Sequence, residues 1–245
     1  MPAASTSLDF FDDDYWLSHE DYLTSEQADA DVSEVLGLLH VTSGVLLDAP
    51  CGAGRLAARM SQLGFVVDGV DLDPRALDLA RSQQEGLSRK VNYLERDLRD
   101  LKGLGPYDVI LSWFNSFGYF TAEENLQILQ DFQGLLRPGG ILLINTLDLD
   151  MVREIVEEGP LEEVIEVRGR TISSRAVLEG HRLVTTRAGN SGEGRNTKVS
   201  SVELFAVDQW KAQLEGMGFT SVEVFERIEP THSDPVAEIT VKAVL

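Results

Sequence analysis

Apolar residues recur with two different periods along the first 148 residues, and the alternation of these periods predicts the fold. Short apolar runs typical of buried strands are separated by segments whose apolar residues recur at helical spacing. The predicted strands are residues 45–49, 65–71, 91–95, 107–112 and 141–145. The predicted helices between them are residues 53–63, 74–85 and 122–136. Strands that alternate with helices in this way indicate a parallel, doubly wound α/β sheet.

The pattern changes after residue 160, where short β-prone runs follow one another without helices. These runs are residues 161–168, 171–178, 182–187 and 197–205, and turn signals separate them at 168–170, 179–180 and 188–194. They predict a small antiparallel sheet inserted into the chain. A helix is predicted over 207–217, and the runs at 222–226 and 237–241 predict a terminal hairpin.

The first strand leads into a glycine-rich turn, which marks a candidate ligand site. Gly52 and Gly54 allow the backbone to approach a ligand closely, and the following helix offers unpaired N–H groups at its N-terminus. Asp71 ends the second strand about twenty residues later, where a carboxylate accepts hydrogen bonds from ribose hydroxyls. Both NAD-dependent enzymes and methyltransferases use such a turn, so this motif alone leaves the two classes open.

The net charge, the hydropathy and the cysteine count indicate which partners and which compartment to expect. The 245 residues carry a formal net charge of -20, which argues against a nucleic acid substrate because phosphate binding needs a positive surface. No apolar run approaches the roughly twenty residues that cross a membrane, and no signal peptide is recognisable at Met1. Cys51 is the single cysteine, so no disulfide can form within the chain. We therefore expect a cytoplasmic protein, without a membrane or nucleic acid partner.

Three further features separate the two enzyme classes. Asp97-Leu98 follows the third strand, where an acid can accept a hydrogen bond from an adenine amino group. The strand ending at Ser112 leads into an aromatic run, residues 113–120, rather than into a second mononucleotide-binding half. The chain ends in a hairpin instead of another βαβ unit. On these features and on the first motif, residues 48–55, the sequence resembles the class I S-adenosylmethionine-dependent methyltransferases over residues 8–245.

The resemblance implies a fold, a cofactor and a set of contacts. The fold is a Rossmann-like seven-stranded sheet of order 3-2-1-4-5-7-6 with the last strand antiparallel, and the cofactor is S-adenosylmethionine. The glycine turn would lie under the methionine portion, Asp71 would bind the ribose and Asp97 the adenine, although a plain turn acid is the alternative for Asp97. The expected cofactor-binding residues are Asp48, Ala49, Pro50, Gly52, Gly54, Arg55, Asp71, Leu72, Asp97, Leu98 and Ser112.

The acceptor side is expected among aromatic residues and one histidine. Tyr15, Tyr22, Phe117 and Tyr119 are candidate walls, because aromatic faces suit a positively charged sulfur–methyl centre. Core packing is the alternative for Phe117, Tyr119 and Tyr15. His232 lies in the loop before the last strand, at the ligand edge of the sheet, and is a candidate base. No spacing typical of a metal site is present, so no metal is expected.

Within the class, the aromatic run and the late β insertion resemble bacterial small-molecule methyltransferases. We therefore expect methylation of a small-molecule acceptor, with nitrogen slightly favoured over oxygen, by a monomer or homodimer. A non-catalytic S-adenosylmethionine-binding protein is an alternative, and a nicotinamide-dependent oxidoreductase is disfavoured. Residues 1–40 are expected to cover the site, residues 41–148 and 206–245 to form the core, and residues 149–205 to act as a lid or acceptor wall. The acidic, aromatic segment 8–24 would cover either the edge of the core or the ligand.

Overall fold

The computed structural model describes residues 8–20, 23–191, 194–226 and 237–245. Two sheets contain its strands: a seven-stranded sheet of order β10-β11-β5-β4-β1-β2-β3 and a four-stranded sheet of order β6-β7-β8-β9. The strands are β1 (Val45–Asp48), β2 (Val66–Asp71), β3 (Asn92–Glu95), β4 (Tyr107–Ser112), β5 (Leu136–Leu147), β6 (Leu161–Val167), β7 (Arg170–Glu179), β8 (Arg182–Ser191), β9 (Gly194–Glu203), β10 (Ser221–Glu226) and β11 (Glu238–Val244).

The seven-stranded sheet confirms the predicted topology. Strands β1 to β5 pair in parallel, while β11 pairs antiparallel with both β5 and β10. Counting only the strands of this sheet, the order is 3-2-1-4-5-7-6 with the last strand antiparallel. Parallel strands share one direction, so the ends of β1, β2 and β4 and the start of β11 all meet at one edge of the sheet.

Helices cover both faces of this sheet. The helices are α1 (Asp13–Ser18), α2 (Ser25–Leu38), α3 (Arg55–Leu63), α4 (Pro74–Gln83), α5 (Ala122–Leu135), α6 (Leu149–Glu157) and α7 (Val207–Gly216). Successive strand residues point to opposite faces, so Leu46 packs in one apolar cluster and Leu47 in the other. This double burial explains the continuous apolar runs of the central strands. Among the described residues, no helix is long and apolar enough to span a bilayer.

Local capping chemistry sets where several helices begin. Thr24 caps α2, and Asp73 caps α4 ahead of Pro74. At α5, Thr121 and Glu124 form a reciprocal capping box, which satisfies two backbone N–H groups that the first helical turn leaves without partners.

The structure corrects several predicted boundaries. Strand β5 begins at Leu136, five residues before the predicted start at residue 141, and pairs with β4 through a register shift. Helix α6 was not predicted. In the inserted sheet, β8 and β9 extend through most of the predicted 188–194 loop and pair as far as Ser191 and Gly194. The hairpin turn is therefore shorter than its cluster of glycine and polar residues suggested.

Candidate active site

The glycine turn is held against the end of β2 by the carboxylate of Asp71. Asp71 Oδ2 accepts a hydrogen bond of 2.8 Å from the Gly52 backbone N–H, and its Oδ1 accepts one of 2.9 Å from Asp73 N–H. Burial raises the pKa of Asp71, and these two N–H donors oppose that shift because they stabilise the ionised form. Asp71 therefore holds the turn and borders a cavity beside it.

A first cavity, of about 210 Å³, lies over the turn between β1 and α3 and fits the methionine portion of the expected cofactor. Asp48 and Arg55 both line it. Burial raises the pKa of Asp48 to about 7, although the nearby Arg55 charge opposes the shift. The Nη1 atom of Arg55 is ion-paired with Asp31, while its buried Nη2 atom has no hydrogen-bond partner among the described residues. This cation fits the carboxylate of a bound amino acid moiety, and Asp48 fits its amino group.

A second cavity, of about 160 Å³, lies beyond Asp71 and fits an adenosine. Leu72, Leu98 and Phe120 supply apolar surface for a base. Asp97 also lines this cavity, and its carboxylate accepts hydrogen bonds from the backbone N–H and the guanidinium of Arg99. The Arg99 guanidinium lowers the pKa of Asp97. Asp97 therefore remains ionised at neutral pH while it both stabilises its turn and lines the cavity.

A third cavity, of about 350 Å³, separates the core from the inserted sheet, and we call it the acceptor cavity. One face of the inserted sheet forms its outer wall, with residues from all four strands. The inner wall comes from the loop after β4, the end of β5 and the start of β11. The polar residues that line it are Ser18, His19, Asn115, Thr146, Glu163, Ser174, Thr185, Arg187, Ser200 and Glu238.

Tyr15 lies where the three cavities meet, since it lines each of them. Its ring stacks on His19 at a centroid separation of 4.2 Å. Burial raises the pKa of Tyr15 to about 12, so the phenol stays protonated near neutral pH. Tyr119 borders the adenosine and acceptor cavities, and Phe114 borders the methionine and acceptor cavities. These aromatic rings therefore surround the passage between cofactor and acceptor.

The segment Leu8–Glu20, which we call the N-terminal strap, covers the passage between the cofactor and acceptor cavities. Ion pairs tie its acids to basic residues of the inserted sheet, and the pairs are Lys198–Asp9, Arg187–Asp12, Arg170–Asp14 and Arg168–Glu20. Arg187 is the most deeply buried member of these pairs, 4% exposed, and its guanidinium also lies 4.6 Å from the Phe10 ring centroid. Exposed ion pairs contribute little each, so Arg187 is the main anchor.

The predicted cofactor contacts divide into those that line a cavity and those that do not. The lining residues are Asp48, Pro50, Gly52, Arg55, Asp71, Leu72, Asp97 and Leu98. Ala49 and Ser112 are buried within the sheet, and the Ser112 hydroxyl has no partner there. At Gly54 a Cβ atom would lie 2.1 Å from the Tyr93 hydroxyl. The close approach of Tyr93 and a φ of 74° therefore explain why a glycine stands here, and its contact with the cofactor stays a prediction.

Among the predicted acceptor-side residues, Tyr15 and Tyr119 line the acceptor cavity, but Phe117 does not. Phe117 is 2% exposed and packs against Trp210 at a centroid distance of 5.6 Å. Its assignment to the site was wrong, because the turn after β4 directs this ring into the core. Tyr22 and His232 lie outside the described residues.

Most residues of the acceptor cavity were missed, among them His19, Asn115, Arg187 and Glu238. The clearest available signal was Glu238, an acid at the start of an otherwise apolar strand that begins at the ligand edge. Asn115 lies within the aromatic run, residues 113–120, and only the aromatic residues of that run were considered as candidates. Arg187 gives no local signal, since basic residues are common on the exposed faces of strands.

Comparison with known proteins shows similarity to methyltransferases. A family model described as a methyltransferase domain matches residues 46–140. A protein of Geobacillus sp. strain WCH70, provisionally named as a methyltransferase, is 26% identical over 185 residues, 73% of this chain and 75% of the relative. A ubiquinone biosynthesis O-methyltransferase of Xanthomonas campestris pv. campestris is 32% identical over 110 residues, 42% of this chain and 43% of that protein.

A solved structure shares the fold over nearly the whole chain. It is CalS10 with S-adenosylmethionine bound, an amino pentose methyltransferase of Micromonospora echinaspora involved in calicheamicin biosynthesis. The TM-score is 0.67 at 18% identity, over 94% of this chain and 95% of that one. The matched domain and the sheet order lead to one conclusion: residues 46–140 form a methyltransferase domain, and the chain has the fold of S-adenosylmethionine-dependent methyltransferases.

Proposed function

We propose that the enzyme methylates a small molecule held in the acceptor cavity, with nitrogen favoured over oxygen as the methylated atom. The observation that carries this proposal is the position of Tyr15, which borders both cofactor cavities and the acceptor cavity. A residue shared by all three marks the passage through which a methyl group must travel. An acceptor bound beyond Tyr15 therefore faces the reactive end of the cofactor.

The surroundings of this passage suit methyl transfer. Bound S-adenosylmethionine supplies a methyl group on a positively charged sulfur, and an acceptor lone pair displaces it in line while the electrons of the C–S bond stay on sulfur. The rings of Tyr15, Tyr119 and Phe114 offer electron-rich surface to a positive centre. These half-buried rings also displace water from the passage, and positioning in a desolvated site provides much of the rate in such a displacement.

The size and closure of the acceptor cavity favour a small acceptor over a macromolecule. Its volume of about 350 Å³ suits a metabolite. The N-terminal strap and the inserted sheet cover it, which favours a small acceptor over a nucleic acid or protein chain. The net charge of -20 further disfavours nucleic acid.

Nitrogen is favoured because two carboxylates, Glu163 and Glu238, line the cavity and complement a positively charged amine. The amino pentose methyltransferase CalS10 supports the same choice by analogy. Oxygen is the alternative, and the ring of His19 supports it. His19 Nδ1 lies 2.8 Å from the Tyr15 carbonyl oxygen, so it carries the proton and Nε2 is the basic atom of this ring.

The test uses S-adenosylmethionine labelled with tritium in its methyl group. The enzyme is incubated in parallel with amino sugars, other primary and secondary amines, phenols, transfer RNA and a protein mixture. We expect label in low-molecular-weight amine products, identified as N-methyl compounds by mass spectrometry. Label in phenols would favour the oxygen alternative, whereas label confined to RNA or protein would contradict the proposal.

A further inference from the structure

We infer that Arg187 binds an oxygen atom of the acceptor through its Nη1 atom, at the wall that the inserted sheet contributes to the acceptor cavity. This inference rests on the proposed small-molecule function and adds a group of the acceptor that the enzyme recognises. The oxygen belongs to a hydroxyl, carbonyl or carboxylate group, because a guanidinium only donates hydrogen bonds. Arg187 is thus assigned as a specificity-determining residue as well as the anchor of the N-terminal strap.

The hydrogen bonding of Arg187 is complete at one end of its guanidinium and incomplete at the other. Its Nη2 atom donates to the Phe10 carbonyl oxygen over 2.6 Å and to Asp12 Oδ1 over 2.5 Å. Its Nη1 atom is buried and has no hydrogen-bond partner among the described residues. A buried donor of a charged group is costly to leave without a partner, and most such donors in proteins have one. The Nη1 atom therefore calls for an acceptor atom from a ligand.

What Nη1 lacks is a hydrogen-bond acceptor rather than a negative charge. Asp12 already forms an ion pair with the guanidinium, and the printed contact of its carboxylate is with Nη2. The Phe10 ring centroid lies 4.6 Å from the guanidinium carbon and the Tyr15 centroid 5.7 Å from it. Aromatic faces stack on a guanidinium but do not supply the in-plane oxygen that its N–H groups bond best. A neutral oxygen is therefore sufficient to complete this group.

Arg187 lies in a polar part of the acceptor-cavity wall. Ser174 of β7 is directly across from it, and Thr185 of β8 pairs with Ser200 of β9 in the next row. Residues two apart on a strand and residues paired across strands share one face of a sheet, and all four of these residues line the cavity. Their hydroxyls can donate or accept hydrogen bonds, so they offer further partners to an oxygen-bearing group beside Nη1.

Arg187 also joins this wall to the N-terminal strap, so the strap and the acceptor meet at one guanidinium. Phe10 and Tyr15 belong to the strap and line the acceptor cavity themselves. The strap engages Nη2, while Nη1 is left for the ligand. A variant that weakens only the bond to the strap can therefore be compared with one that removes Nη1.

The experiment measures binding of matched amine probes to enzyme saturated with S-adenosylhomocysteine. The parent probes are cyclohexylamine and benzylamine, and each is compared with its 4-hydroxyl, 4-carboxamide and 4-carboxylate derivatives by saturation-transfer NMR titration. We expect at least one derivative to bind fivefold or more tightly than its parent, and the derivative that gains most identifies the oxygen group. In Arg187→Lys this gain should fall to twofold or less, because lysine has a single side-chain nitrogen and the strap engages it.

The matched control is Asp12→Asn, which removes the charge that pairs with Nη2 but keeps Nη1 and a side chain that can cap α1. It should keep the fivefold gain. Three results would overturn the inference: no derivative reaches a fivefold gain in the wild type, folded Arg187→Lys keeps a gain above twofold, or Asp12→Asn loses the gain as Arg187→Lys does. The last result would show that closure of the strap alone explains the effect.

If Arg187→Lys does not fold, Ser174→Glu provides a second variant. Its carboxylate, directly across from Arg187, would take the place of the ligand oxygen at Nη1. We expect it to reduce the gain at least threefold, and an unchanged gain counts against the inference. Methyl transfer to small amines without any gain from an oxygen group would keep the proposed function and lose only this site.

Discussion

Asp48 should couple cofactor binding to the release of a proton. The side chain ends β1, is 3% exposed and lines the methionine cavity, and burial raises its pKa from an ordinary value of 3.8 to about 7. At pH 6 it is therefore about nine-tenths protonated in the free enzyme. The ammonium and sulfonium groups of S-adenosylmethionine are positive, and a positive charge beside a carboxylate favours its ionised form. Binding at pH 6 should therefore expel the proton.

The size of this effect follows from the pKa change. If the bound cofactor lowers the pKa of Asp48 by about 2 units, the coupling is about 2.7 kcal/mol, and affinity should rise about fivefold between pH 6 and pH 7, where the cofactor amino group stays mostly protonated. Titration calorimetry in two buffers of different ionisation enthalpy gives the number of protons released. We expect nearly one proton per cofactor at pH 6 for the wild-type enzyme, and none from this source in Asp48→Asn.

The raised pKa of Asp48 also predicts how the free energy of unfolding depends on pH. Because folding raises the pKa of this acid, its protonated form is favoured in the folded state, and its contribution is fully present below pH 4. That contribution is lost as pH rises from about 4 to about 7, by as much as about 4 kcal/mol. In urea unfolding of the cofactor-free protein, Asp48→Asn should therefore exceed the wild type in stability at pH 8. Equal proton release by the wild type and Asp48→Asn at pH 6, or lower stability of the variant at pH 8, would refute the reasoning.

Two further changes probe the cofactor cavities and the strap. Asp71→Ala removes the acceptor of two backbone N–H groups and the expected ribose partner, and should weaken S-adenosylhomocysteine binding roughly 10- to 100-fold by calorimetry. Asp78→Ala, which changes an exposed acid on α4, should leave the affinity unchanged, and an equal loss in both would remove Asp71 from the site. Gly189→Ala would place a Cβ atom 1.9 Å from Asp14 Oδ2, so the strap must move and its proteolysis should quicken. Gly37→Ala has open space around the new Cβ and is the control; equal proteolysis rates would show that the strap does not depend on this contact.

Local chemistry made part of this structure predictable from the sequence. The contact between Asp71 and Asp73 and the cap at Asp73 join residues within a few positions. Gly52 and Asp71 lie 19 residues apart, at the ends of one strand–helix–strand unit, so their placement also follows from spacing. The position of Phe117 depends on Trp210, nearly a hundred residues away, and spacing gives no information about such a contact. Glu238 joins the site only because β11 inserts beside β5, which brings the end of the chain to the ligand edge.

The length of the inserted strands β8 and β9 could not be predicted from the local sequence either. Glycine and polar residues at 188–194 predicted a loop, yet cross-strand pairing carries β8 and β9 through most of it. Tertiary pairing outweighs local turn preference at such positions. The acceptor cavity, which lies between this sheet and the core, could not be predicted without that pairing.

The claim that the acceptor cavity is separate from the cofactor cavities can be tested by filling it. Thr185 lines the acceptor cavity, whereas the neighbouring Thr186 is exposed on the opposite face of β8. We would measure S-adenosylhomocysteine affinity and transfer of labelled methyl groups to the amine and phenol panel for Thr185→Trp and Thr186→Trp. We predict that Thr185→Trp binds S-adenosylhomocysteine within twofold of the wild type but loses methyl transfer at least a hundredfold, while Thr186→Trp keeps both. Undiminished transfer by Thr185→Trp would contradict the account.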